Sequence, residues 1–240
     1  MKPEIIFEDN QLLAINKPAG LLVHPTPRQE TDSVWTWLFN YYPQLRLVGE
    51  PIKLATGAPL DRYGLLHRLD KETSGLLLIA KTADAFSWYK QLFQSRRLKK
   101  IYRAIVYGSV EPTEGVIEFP LGRSRRDPAR RAAGAAAKGV LRSAVTHYHC
   151  LKKSIGYSYL ELEPKTGRTH QLRVHLKTLG YPIVCDEWYA PKKVCPPELG
   201  RLGLHAFSLE FYTPANNRLK LEADLPTDFQ TALAALGLAC

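Results

Sequence analysis

Four charged residues stand directly in front of an apolar run in the segment HRLDKETSGLLLIAKT, which covers residues 67–82. They are Arg68, Asp70, Lys71 and Glu72, and the run after them is typical of a strand buried on both faces. Charged side chains at the mouth of a buried strand are where a fold can expose reactive groups. Asp70 taken alone also fits a simpler role as a turn-capping residue before the Thr-Ser-Gly sequence.

A second group of polar residues opens a predicted helix in PKTGRTHQLRVHLKTLGYP, residues 164–182. Thr166 is a candidate N-cap, so the helix is expected to begin at Gly167 and to bury a stripe of leucines. Its first turns carry Arg168, His170, Gln171 and Arg173. Helix N–H groups and basic side chains together can bind an anion or a carboxylate. A surface helix with solvated basic residues is the alternative.

Short strands with helices between them are expected to position these residues. Helices are predicted over 33–42, after Ser33, and from the N-cap Thr82 to about Arg97. The segment IYRAIVYG, residues 101–108, predicts a strand with Tyr102 on one face and Arg103 on the other. A structural tyrosine is the default interpretation of Tyr102 in such a strand.

The segment 120–142 is strongly basic and carries a single acid, Asp127. It has no apolar stripe and several Gly and Ala residues, which predicts a mobile basic loop inserted in the domain. Such a loop is expected to contact phosphate, although a merely solubilising insertion is an alternative. The arginines expected to bind are Arg123, Arg125, Arg126, Arg130 and Arg131.

Composition sets the class of protein. The 240 residues are 45% hydrophobic, enough for one large folded domain, and 33 Lys and Arg against 23 Asp and Glu favour a polyanionic partner. The sequence has no apolar segment long enough to span a membrane, no phosphate-binding glycine motif and no metal-ligand spacing. The four distant cysteines are interpreted as reduced thiols of a cytoplasmic protein.

Five segments together resemble a known family. NKPAGLLVHP, HRLDKETSGLLLIAKT, KKIYRAIVYG, LEPKTGRTHQLRVHLKTLGYPIVCD and LHAFSLEF occur in the order of the motifs of RluA-type pseudouridine synthases, from about residue 5 to about 225. The resemblance implies an α+β catalytic fold over residues 1–240, with a bent, mainly antiparallel mixed sheet flanked by helices and a central active cleft. It implies isomerisation of specific uridines in structured RNA, either rRNA or tRNA, without cofactor or metal.

The resemblance also assigns residues. Asp70 matches the catalytic aspartate, which either attacks C1′ of the ribose or removes the C2′ proton, and both roles need the ionised form. Burial disfavours the charged form of a carboxyl, so a cation must offset that effect, and Arg173, in preference to Arg168, is placed against Asp70. Tyr102 matches the tyrosine that stacks on the uracil. Arg68 is expected on the extruded RNA, with His67 packed or hydrogen-bonded beneath the site. The residues His67, Arg168, His170 and Gln171 are also expected to contact RNA.

Two departures from the family pattern concern the RNA. Many relatives carry an S4-like domain before the catalytic core, and none is expected here. The usual G-D-x-x-Y-G element reads CDEWYA at 185–190, which keeps Asp186 and Tyr189 but loses both glycines. A monomer is expected. The alternatives are a catalytically silent protein that binds structured RNA and, more weakly, a glycosidase using Asp70 with Glu72, which the positive charge does not suit.

Overall fold

The computed structural model of the chain describes residues 1–25, 32–53, 57 and 59–239. Its helices and strands, in chain order, are β1 (Glu4–Glu8), β2 (Leu12–Lys17), α1 (Val34–Tyr41), β3 (Ile52–Lys53), β4 (Pro59–Leu60), β5 (Ser74–Ala80), α2 (Ala83–Ser95), β6 (Lys99–Tyr107), β7 (Glu114–Ile117), β8 (Leu121–Ser124), β9 (Arg131–Ala133), β10 (Ala137–Arg142), β11 (Thr146–Ser154), β12 (Tyr157–Pro164), α3 (Gln171–Thr178), β13 (Leu204–Tyr212), β14 (Arg218–Glu222) and α4 (Thr227–Ala235). The mixture of helices with antiparallel strand pairs confirms the α+β class.

The chain divides into two compact units. The first contains Met1–Lys99 with Ser208–Asp224, and the second contains Lys100–Phe207 with Leu225–Cys240. None of the helices in the described ranges is long and apolar enough to cross a membrane.

In the first unit, β2 pairs antiparallel with both β1 and β5. All seven residues of β5 are buried, as the apolar run predicted. Both helix starts predicted from the sequence are confirmed, since Ser33 accepts a hydrogen bond from the Thr36 N–H and Thr82 accepts one from the Ala85 N–H. Gly64 must be glycine, because its φ is +69° and a Cβ there would lie 2.0 Å from the Ala80 carbonyl oxygen.

In the second unit, the strands β6, β12, β11 and β7 are antiparallel neighbours. Alternate residues of β6 pack into two different hydrophobic clusters, as the alternation of side chains along a strand predicted. Ala104 and Val106 pack with α3, whereas Ile105 and Tyr107 pack with α4.

The segment 120–142 differs from the mobile loop that the sequence predicted. It forms a three-stranded antiparallel sheet in the order β10, β8, β9, which we call the basic sheet. Its order comes from backbone pairing and from Arg125, whose Nε lies 3.1 Å from the Ala135 carbonyl oxygen and 3.0 Å from that of Ala137. The spacing of apolar residues along the chain gives no information about hydrogen bonds of this kind, so the sequence pattern alone indicated a loop.

Candidate active site

Asp70 lies in the first unit, in the turn directly before the buried strand β5. Its side chain is half-buried, and its carbonyl accepts a hydrogen bond from the Thr73 N–H at 3.1 Å. The next carbonyl, of Lys71, accepts the Gly20 N–H at 2.9 Å. The backbone around Asp70 is therefore fixed by bonds that do not involve its carboxylate.

Lys17 is a supporting residue that the sequence analysis missed. Its side chain is fully buried, and its ammonium donates to the carbonyls of Pro18, Leu21 and Lys71 at 2.8–2.9 Å. A buried lysine is uncommon unless its charge is satisfied, and these three carbonyls satisfy it. The only sequence signal was a lysine that ends a strong apolar strand in front of the Pro-Ala-Gly turn. Lys17 thereby ties the turn that carries Asp70 to the residues after β2.

His67 and Arg68, the two basic residues before Asp70, have different environments. His67 accepts a hydrogen bond from the Leu78 N–H at its Nε2, at 3.1 Å, and stacks on Phe93 with the ring centroids 4.7 Å apart. His67 is thus held by β5 and α2, and its place beneath the site and its contact with RNA stay predictions. Arg68 is exposed to solvent, and its contact with RNA stays a prediction.

His24 is a half-buried histidine near Arg68. Its Nδ1 has no hydrogen-bond partner within the described part of the chain. Burial, together with the positive charges of Arg68 and Arg62, lowers the pKa of His24 from 6.5 to about 4. The folded protein therefore keeps this imidazole neutral at pH values where the unfolded chain protonates it.

We expect His24 to destabilise the fold as the pH falls. The unfolded chain takes up the proton near pH 6.5 and the folded chain only near pH 4, so stability is lost between these values, by at most about 3 kcal/mol. His24→Gln should lose less stability than the wild type between pH 7.5 and pH 4.5. Urea unfolding at the two pH values measures this difference, and an identical pH dependence in both proteins would contradict it.

Tyr102 lies on β6 in the second unit and is half-buried. It packs against the core cluster that contains Leu172 and Leu176 of α3, and its strand partner on β12 is Leu162. The same core therefore supports Tyr102 and the helix that carries Arg173. Asp70 belongs to the other unit, so its meeting with Tyr102 and Arg173 stays a prediction.

Arg173 forms a buried ion pair that the sequence analysis did not anticipate. Its Nε donates to Oδ2 of Asp186 at 2.8 Å, and its Nη2 donates to Oδ1 at 2.7 Å. The side chains are 8% and 0% exposed, which makes this a desolvated bidentate pair. A guanidinium has five N–H donors, and Asp186 engages two of them. The predicted pairing of Arg173 with Asp70 concerns the other N–H groups and stays a prediction.

The start of α3 differs from the prediction. The helix begins at Gln171, after His170 in the left-handed conformation with φ +55°, and Thr166 is not its N-cap. Gln171 is buried, and its Oε1 accepts the Thr166 hydroxyl and the Arg168 N–H. Its Nε2 donates to Val145 and Thr146. These four bonds hold the segment 166–171 in a compact turn that replaces the first helical turn, and RNA contact by Gln171 stays a prediction.

His170 and the basic sheet meet at Tyr189. The Tyr189 hydroxyl lies 2.9 Å from Nδ1 of His170 and accepts the Arg131 N–H at 3.0 Å. Arg130 adds a hydrogen bond to the Trp188 carbonyl and lies over the Trp188 ring at 5.6 Å. The segment 186–189 therefore connects the basic sheet with α3.

The basic sheet and the turn before α3 line an open cavity of about 410 Å³, which we call the basic cavity. Its described lining residues include no acid and five cations, namely Arg123, Arg131, Lys138, Arg142 and Arg168. The structure thus brings together two regions that the sequence analysis proposed separately as anion sites. Arg125 and Arg126, also predicted to bind RNA, are exposed residues of the same sheet region.

The cysteines correct one prediction. Cys185 and Cys195 form a disulfide, so these two are not the reduced thiols expected from the sequence. Their separation of ten residues says nothing by itself about pairing, because a disulfide needs Cα atoms a few ångströms apart, here 4.8 Å. Cys150 is free and buried, and Cys240, also expected as a reduced thiol, lies outside the described residues. Within the described ranges, no group of three or more His, Cys, Asp or Glu side chains could hold a metal ion.

The chain is similar to known proteins over most of its length. The sequence profile of the RNA pseudouridylate synthase family matches residues 11–178. The chain is 36% identical to ribosomal large subunit pseudouridine synthase D of Neisseria meningitidis, over 99% of this chain and 62% of that protein. It is 42% identical to an uncharacterized RNA pseudouridine synthase of Chloroflexus aurantiacus, over 92% of this chain and 65% of that protein. The chain thus spans less than two thirds of the length of these relatives.

Solved structures agree with the sequence comparison. Human RNA pseudouridylate synthase domain containing 4 superposes with a TM-score of 0.75 at 30% identity, over 98% of this chain and 93% of that one. Human RNA pseudouridylate synthase domain containing 1 gives a TM-score of 0.73 at 24% identity, which supports the fold. The motifs from Asp70 to Arg173 fall inside the matched profile, and the chain therefore belongs to the RNA pseudouridylate synthase family, as its resemblance to the RluA-type enzymes predicted.

Proposed function

We propose that the protein isomerises uridine to pseudouridine in structured RNA, with Asp70, Tyr102 and Arg173 as its reacting and supporting residues. The observation that carries the proposal is the family match over residues 11–178, which contains all three. The basic cavity supports it further, because clustered cations are suited to the phosphates of a nucleic acid.

The reaction needs no electron acceptor, because it breaks one bond to the base and makes another. The N1–C1′ bond breaks, the released uracil turns in the site, C5 bonds to C1′, the proton on C5 leaves, and N1 takes up a proton in its place. Ionised Asp70 either attacks C1′, forming an ester bond that breaks when C5 bonds to C1′, or removes the C2′ proton, which returns to C2′ as C5 bonds. Arg173 stabilises the negative charge of the carboxylate. Tyr102 stacks on the uracil and assists removal of the C5 proton.

The RNA must present its target uridine outside the helical stack, so binding and extrusion belong to the same proposal. Arg68, which is exposed, is proposed to contact the extruded region, and the basic cavity to contact the backbone. Large-subunit rRNA is the first substrate to test, because the Neisseria relative is named for it, and tRNA is the second. We propose that the protein is cytoplasmic and monomeric, which is compatible with either RNA as substrate.

The direct test uses rRNA and tRNA made without modification and labelled with tritium at C5 of uridine. Incubation with the protein should release tritium to water from one of the pools, and chemical mapping should locate pseudouridine in the same RNA. Absence of release from both pools, with salt-sensitive binding retained, would instead support the catalytically silent RNA-binding alternative.

We expect the basic cavity to contribute to RNA affinity through charge. The double variant Arg123→Ala with Arg142→Ala should bind RNA several-fold more weakly at 0.1 M salt. The slope of log affinity against log salt concentration should fall by about 1 to 2, since each lost phosphate contact removes a little less than one unit. Lys192→Ala, an exposed cation outside the cavity, is the matched control. Equal slopes for the double variant and the wild type would contradict this role.

A further inference from the structure

The segment 186–189 holds Arg173 on several sides. Asp186 bonds one edge of the guanidinium through its two carboxylate oxygens. The guanidinium carbon also lies 5.7 Å from the Trp188 ring centroid and 5.1 Å from that of Tyr189. Three residues of this one short segment therefore contribute to the orientation of Arg173.

Asp186 organises that segment as well. Its Oδ1 accepts the backbone N–H groups of Trp188 and Tyr189, each at 3.0 Å, in addition to the bond from Arg173. The carboxylate is wholly buried, so all of these bonds form away from solvent. A single side chain thus bonds both the arginine and the backbone of the two residues whose rings contact it.

The turn that carries Asp186 is held from outside the pair. Cys185 has φ +57°, in the left-handed region that favours glycine, and it is joined to Cys195. The Tyr107 hydroxyl accepts the Cys185 N–H at 3.2 Å and donates to the Val194 carbonyl at 2.9 Å. Both arms of the 185–195 loop are therefore tied next to the disulfide, which restrains the position of Asp186.

We propose that Asp186 is a positioning residue for the isomerisation, which acts by fixing the guanidinium of Arg173. With its Nε and Nη2 edge bonded to Asp186, the planar guanidinium presents its other N–H groups in one direction. Small displacements of a group that supports a reaction cost large factors in rate, so this restraint matters for turnover. The inference rests on the proposed function, in which Arg173 keeps the reacting carboxylate charged.

The test compares Asp186→Asn with the wild type in the full-length chain. Asn keeps the size and one acceptor oxygen, but it has no charge and offers an amide in place of the second acceptor. Single-turnover tritium release from labelled RNA should slow about 100-fold, while the Kd for RNA changes less than about twofold. Asp228→Asn is the matched control, because Asp228 forms a similar bidentate pair with Arg201 in the same unit. It should leave the rate unchanged.

A double-mutant cycle separates positioning from a general structural effect. If Asp186 acts through Arg173, then Arg173→Ala with Asp186→Asn should be no slower than Arg173→Ala alone. The proposal would be overturned if the rate of the double variant fell by the product of the two single-variant factors, or if Asp186→Asn had the wild-type rate.

If Asp186→Asn does not unfold cooperatively, Asp186→Glu replaces it in the test. A folded Glu variant should be at least tenfold slower, and wild-type turnover would again overturn the proposal. Failure of the wild type itself to release tritium would contradict the proposed function instead.

Discussion

Replacement of Asp70 by Asn is expected to abolish pseudouridine formation, with a loss of at least about three orders of magnitude in the single-turnover rate. The substitution keeps the size of the side chain and removes the negative charge that either proposed role of Asp70 requires. The turn itself should persist, because its hydrogen bond to Thr73 uses the backbone carbonyl of Asp70 and Lys17 holds the neighbouring Lys71. RNA affinity should therefore remain close to that of the wild type.

The control for this prediction is a variant of a neighbouring residue in the same turn. Glu72→Gln removes the other carboxylate of the same turn, which is exposed, and should leave tritium release unchanged. Loss of activity in both variants would show that the isomerisation also requires the Glu72 carboxylate, whereas full activity of Asp70→Asn would contradict the mechanism. Fluorescence anisotropy with labelled RNA and thermal unfolding show whether binding and folding are retained.

Arg173→Lys should give the second large effect, although it conserves charge. Lysine cannot form the planar two-bond contact with Asp186, so the cation loses the orientation that the guanidinium has in the structure. We expect the single-turnover rate to fall about 100-fold or more. The free energy of unfolding should fall by about 2 kcal/mol, because a buried hydrogen bond to a charged group is lost.

Arg201→Lys provides the comparison for that variant. Arg201 makes a bidentate pair with Asp228 in the same unit but has no proposed part in the reaction. This variant should be less stable than the wild type and equally active. If Arg173→Lys lowers stability without slowing tritium release, Arg173 has a structural role alone and the proposed chemistry must be assigned to other residues.

Local patterns in the sequence determined much of the architecture. The apolar run of β5, the helix starts at Ser33 and Thr82, and the alternating faces of β6 each depend on neighbouring residues, so propensity and periodicity were sufficient to predict them. The ordered motifs from Asn16 to Phe211 likewise predicted the family, which the profile match and the relatives confirm. Through that resemblance, the sequence also predicted Asp70, Tyr102 and Arg173 as catalytic residues.

The tertiary structure alone decided which groups meet. Asp186 reaches Arg173 across 13 residues and Lys17 reaches Lys71 across 54, and neither contact leaves a periodic signal. The disulfide between Cys185 and Cys195 and the order of the basic sheet depend on distances and hydrogen bonds set by the folded backbone. Residue types and spacing specify local conformation and candidate chemistry, whereas the partner of each buried charge is fixed only when the chain brings distant segments together.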